Sequence, residues 1–126
     1  MIRIRAPQEQ ALSEAAWETF REEVEARLQT MYSKRTAPLP EGRLSEIVAS
    51  AVASARGLGM TGDRTISVYV ECVLVFGPPP WKEPFAEPLA DGGVPPEVRH
   101  ARFRRLAEEA LAPHREDSPG PAAESA

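Results

Sequence analysis

The sequence predicts an all-α protein, a compact four-helix domain with a long Pro/Trp loop between the third and fourth helices and a disordered C-terminal tail. Three observations carry that class. Apolar residues recur at helical spacing in two long segments. The most apolar stretch, Thr65 to Gly77 ("TISVYVECVLVFG"), has only the short start of the chain as a possible strand partner. Prolines fall between the periodic segments, where they punctuate.

The start, "MIRIRA", alternates apolar and basic residues and reads as a short extended arm or edge strand. Pro7 suits the first turn of a helix, where its missing N–H is not needed. From there to about Tyr32, Leu12, Ala16, Phe20, Val24 and Leu28 recur every fourth residue, and Met31 closes the stripe. Glu14, Glu18, Glu22 and Glu25 fall off the stripe and should face water, and Glu23 with Arg27 is spaced for an i,i+4 pair. Lys34 and Arg35 stand near the negative end of this helix.

In the second helix Leu44, Ile47, Val48, Ala51, Val52, Ala55 and Leu58 alternate steps of three and four, and small residues between them permit close packing. Gly57 and Gly59 follow as stop signals, either able to take the left-handed cap conformation.

Thr65 to Gly77 fits two periods. With period two, Ile66, Val68, Val70, Cys72, Leu74 and Phe76 share a face, and the β-branched content favours a strand. With period 3.6, Ile66, Tyr69, Val70, Val73 and Leu74 share one. Helix is favoured because the run is long for a strand and a sheet of two strands is marginal. Thr61 is a candidate N-cap, with Asp63 near the positive helix end. A helix apolar all round belongs at the centre of a domain. Its β-branched residues cost a few tenths of a kcal/mol each in propensity, against about 1.5–3 kcal/mol gained per large side chain buried.

The loop "GPPPWKEPFAEPLADGGVPPEV" carries Trp81, Phe85 and Leu89 among prolines. A connection of this length is either functional or packed by its own side chains. Pro96 and Glu97 open the last helix, which runs to about Leu111 with Val98, Phe103, Leu106, Ala107 and Ala110 inward. Arg104–Glu108 and Arg105–Glu109 are spaced to pair outside. Residues 1–112 therefore form one helical domain, and 113–126, which lack large apolar residues, form the tail.

The chain has 126 residues and a net charge of −4, which disfavours nucleic acid and anionic membranes as partners. Its single cysteine, Cys72, excludes an internal disulfide and a thiolate zinc site, and fits a reducing compartment. Without a signal-peptide pattern or a transmembrane run, the expected location is cytoplasmic. No cofactor and no metal is expected. Cys72 sits among valines without a polarising neighbour and reads as structural. His100 and His114 lie fourteen apart and read as solvated. No Ser stands in a nucleophile elbow, and "RGLGMTGD" lacks the lysine of a phosphate loop. No catalytic residues are assigned. The remaining candidates for binding a protein are Trp81, Phe85 and Leu89 of the loop with Arg99 and Arg102 of the last helix.

The segment "ASARGLGMTGDRTISVYVECVLVFG", the Pro-Trp loop and "VPPEVRHARFRRLAEEAL" resemble a family of small bacterial proteins often encoded beside type VI secretion spikes, their effectors and related toxin cassettes. The likeness runs from residue 1 to about 111, with Gly59, Tyr69, Gly77 and Trp81 on the shared pattern and Phe20 near a shared Phe. The loop departs from it, reading "GPPPWKEPFAEP" where the family is rich in Asp and Phe. The resemblance implies helical character between the glycine turn and Gly77. It also implies a non-enzymatic accessory protein, an adaptor or small chaperone, that docks an effector, toxin or spike component. The alternative is an immunity protein that neutralises a neighbouring toxin, with Glu18, Glu22 and Glu25 mimicking an anionic substrate.

Overall fold

The computed structural model describes residues 14–90 and 92–116. They form helices and turns, with no strand among the described residues. The expected arm at 1–6 and the helix start at Pro7 lie outside them, as does Leu12. Helix α1 spans Glu14–Met31, and a one-turn helix, α2, follows at Ser33–Thr36. Next come α3 (Arg43–Gly57), α4 (Asp63–Phe76), the short α5 (Glu87–Ala90) and α6 (Pro96–Leu111). One 3-10 turn, Pro84–Ala86, leads into α5, and another, Ala112–His114, follows α6.

Thr65 to Phe76 is helical, and α4 is the central element: Ile66 to Cys72 are buried without a break. Helix α3 packs on one side of it and α6 on another, while α1 packs on α3. The expected stripe of α3 is the buried one, with Leu44, Val48, Ala51, Val52 and Ala55 inside. Leu58 does not follow it; the helix has ended and the side chain is 42 % exposed. The stop is made at Gly59, whose φ of +87° a residue with a Cβ adopts only under strain. The Gly59 N–H donates to the Arg56 carbonyl and the Met60 N–H to the Ala55 carbonyl, the Schellman pattern, with Met60 buried beneath it.

Two expectations at helix ends are corrected. Gly62, not Thr61, takes the N-cap position of α4, its carbonyl accepting the Ile66 N–H, and no side chain caps the end. On α6, Val98 is 41 % exposed, and His100 and Leu111 join Phe103 and Ala107 on the buried face. The displacement is one of phase: Phe103, Ala107 and Leu111 step by four, and His100 precedes them by three.

The segment after α4 is not a structureless loop. Gly77 turns the chain at a φ of +88°, Pro84 opens the 3-10 turn, and Phe85 is driven into the core at 1 % exposure. Trp81 stacks on Phe103 with ring centroids 6.2 Å apart and donates its indole N–H to the Gly77 carbonyl at 2.7 Å. Trp81 and Phe85 also meet edge-on at 5.3 Å, and Tyr69 and Phe76 complete the aromatic cluster. Arg99 holds the strap from below, donating to the Val94 and Leu89 carbonyls at 3.0 and 3.3 Å.

The tail boundary expected at Pro113 moves. Arg115 reaches Glu71, and Glu116 accepts hydrogen bonds from the Ser33 hydroxyl (2.6 Å) and the Lys34 N–H (2.9 Å) at the start of α2. Its own N–H donates to the Met31 carbonyl at 2.8 Å. Residues 117–126 lie outside the described residues.

Candidate functional site

A carboxylate on the central helix is the unexpected feature of the core. Glu71 is 2 % exposed in the middle of α4. A charge so placed must be paired, because desolvating it alone is prohibitive. Its Oε1 accepts three donors: the Tyr32 hydroxyl at 2.7 Å, Arg115 Nε at 2.9 Å and Arg115 Nη2 at 2.8 Å. Among the described residues its Oε2 has only Arg27 Nη2 nearby, at 3.9 Å, beyond hydrogen-bond reach. Arg27 thus turns toward Glu71 across the fold, in place of the expected pair with Glu23.

Electrostatics follow from this geometry. Burial, reinforced by the hydrogen bond to Glu71, pushes the Tyr32 hydroxyl well above the ordinary phenol range, so Tyr32 is a fixed donor. Burial works against the charge on Arg115, but Glu71 outweighs it and the guanidinium stays charged. The hydrogen bond from Ser33 holds Glu116 below the usual carboxylate range.

Glu71 forms part of the floor of a groove of about 480 Å³. Helices α1 and α4 both pack on α3 or on its neighbours but make no comparably close approach to each other, and the groove lies between them. The α1 wall presents Phe20, Glu23, Val24 and Arg27, one helical face by their spacing. The α4 wall presents Asp63, Ser67 and Glu71 at every fourth position, with Val68 beside them. At 1.5 Å per residue, those three polar groups are about 6 Å apart along the axis. Ser67 is only 5 % exposed, and its hydroxyl has no hydrogen-bond partner among the described residues. Arg64 and Glu108 bridge α4 to α6 at the rim, 2.8 Å apart. Glu108 is therefore taken by Arg64 and not by Arg104, whereas Arg105 and Glu109 do approach each other, at 4.0 Å.

The residues expected to bind a partner lie elsewhere. Phe85 is core, Trp81 and Leu89 are half-buried against it, and Arg99 is spent on the strap's carbonyls. Proline and the 3-10 turn aim the Phe85 ring into the core, where it is 1 % exposed. Arg102 alone of the five is exposed. Cys72 is fully buried, and desolvation raises its thiol far above the thiolate range. His100 is not solvated as expected: it is 9 % exposed, with its Nε2 unpartnered among the described residues. Among the described residues no group of acids, histidines and cysteine is arranged to hold a metal ion, and no helix is long and apolar enough to cross a membrane.

Sequence reasoning passed over Ser67 and Glu71, and read Asp63 only as a charge near the helix start. Their signal was a polar residue at every fourth position inside "DRTISVYVECVLVF", a run otherwise read as apolar all round.

No family model, no curated protein and no solved structure matches the chain.

Proposed function

We propose that this chain is a non-enzymatic accessory protein, an adaptor or small chaperone of a bacterial secretion or toxin cassette, that acts in the cytoplasm by docking another protein. The observation that carries the reading is the groove between α1 and α4, apolar at Phe20, Val24 and Val68 and charged along both walls. A cleft of that make-up suits a segment of a partner, which buries an apolar side chain and matches charge around it. The buried titratable groups of the floor are committed to one another, with three donors on one oxygen of Glu71. Such an arrangement braces a surface, where catalysis would want a group poised to exchange a proton.

The test is co-expression with the products of adjacent genes, followed by co-elution on size exclusion. An adaptor or chaperone elutes with an effector, toxin or spike component and raises its yield or export. Absence of a complex with every neighbouring product sinks the reading. The immunity alternative draws on Glu18, Glu22 and Glu25 of α1, of which Glu18 and Glu22 are exposed and Glu25 half-buried, none in an ion pair among the described residues. It predicts that the chain rescues cells from a toxin's activity inside the producing cell.

A further inference from the structure

Resting on the docking reading, we infer that the groove between α1 and α4 takes a cationic side chain, arginine or lysine, from a partner segment that places an apolar residue next to it. The charge balance of the walls points this way. Four acids, Glu23, Asp63, Glu71 and Glu108, face three arginines, Arg27, Arg64 and Arg115. Arg64 closes on Glu108 and Arg115 on Glu71 Oε1. Glu23 and Asp63 are left without an ion pair among the described residues, and Arg27 is the one cation not held by a short contact.

Acceptors are also left over. Glu71 lines the groove, and its Oε2, 3.9 Å from Arg27 Nη2, takes no hydrogen bond among the described residues. The Ser67 hydroxyl, one turn earlier, is equally unpartnered, and Asp63 stands one turn earlier again. A guanidinium or ammonium lying along this face meets an acceptor at each turn. Charge-assisted hydrogen bonds of that kind are about twice as strong as neutral ones. Arg27, 56 % exposed and 3.9 Å from Oε2, holds the place loosely enough to yield it. Phe20, half-buried on the α1 wall, then covers the stem of the cation, as long basic side chains are covered elsewhere, while Val24 and Val68 are nearly closed to solvent.

The probe is the tetrapeptide acetyl-Ala-Leu-Arg-Ala-amide, titrated into the full chain and followed by amide chemical-shift mapping. Its counterpart with Glu in place of Arg is the control. The expected result is a saturable shift centred on residues 20–27 and 63–71, at least about tenfold weaker with the Glu peptide. Glu23→Gln with Asp63→Asn, both at exposed positions, should weaken the Arg peptide by about fivefold or more while leaving the spectrum folded. Shifts centred elsewhere, equal response to both peptides, or no saturable response at millimolar peptide each overturn the assignment. So does binding that emerges only after residues 1–13 are removed, since the chain's own start is then the occupant, and so does a dimer that sediments with wild-type protein and is lost in the double variant. If a neighbouring-gene product binds wild type and the double variant equally, the cation site falls and the docking reading stands. If no such product binds while the peptide result holds, the reverse is true.

Discussion

Replacing Arg115 by alanine strips Glu71 of two of the three donors on Oε1 and leaves a carboxylate that is 2 % exposed facing only the Tyr32 hydroxyl and a distant Arg27. Each hydrogen bond to a charged group contributes about 1.5–3 kcal/mol, and breaking a buried ion pair from one side costs about 3–5 kcal/mol. The Arg115 side chain is itself 24 % exposed, which places the loss at the lower end, about 3 kcal/mol. That is roughly 150-fold in the folding equilibrium, and about 12 °C or more in midpoint for a domain of this size. Urea unfolding followed by far-ultraviolet circular dichroism measures it. The same substitution in a Glu71→Gln background should cost only about 1 kcal/mol, because no charge is then stranded; the coupling between the two positions is about 2 kcal/mol. A variant within about 0.5 kcal/mol of wild type, or an equal loss in both backgrounds, refutes the claim that Arg115 neutralises Glu71 on the central helix.

Three further outcomes are expected. Phe85→Ala should destabilise the fold by about 3–5 kcal/mol, as for other fully buried aromatics, and an unchanged urea midpoint would return this ring to the surface. Gly59→Ala, at a φ of +87°, should cost about 1–2 kcal/mol, whereas Gly57→Ala, helical and open, should cost nothing or stabilise slightly. His100 is held below its ordinary value of 6.5 by burial first and Arg99 second. Its neutral form is favoured in the folded state, so its contribution is fully present above about pH 6.5 and is lost as pH falls from there through the lower folded value. His100→Gln should flatten this part of the urea-midpoint profile between neutral and mildly acidic pH; an unchanged slope would show that other groups set it.

Helical phase was legible wherever one face is buried and the other wet. Helix α3 follows from Leu44, Val48, Ala51, Val52 and Ala55 alone, and Gly59 marks its end. The stretch around Ile66 to Cys72 was ambiguous because burial on all sides erases the difference between the two periods, and length, a candidate N-cap and the want of a good strand partner decided it. What stayed hidden was long-range. Glu71 meets Tyr32 and Arg115 from 39 and 44 residues away, and no local pattern announces such a pairing. The strap from Gly77 to Val94 was only half legible for a related reason. Proline suppresses any periodicity there, so the sequence left open whether Trp81 and Phe85 fold back on the helices or dock a partner; each packs on Phe103 of α6. The groove itself depends on the spacing of α1 from α4, which their side-chain patterns do not contain.

Carboxyl footprinting with a carbodiimide and glycine ethyl ester, with and without a captured partner, tests the docking face most directly. Protection of Glu23 and Asp63, with Glu87 and Glu97 labelled as before, is the predicted result. Protection of Glu87 and Glu97 with Glu23 and Asp63 still reactive would move the interface to the proline strap and contradict the account.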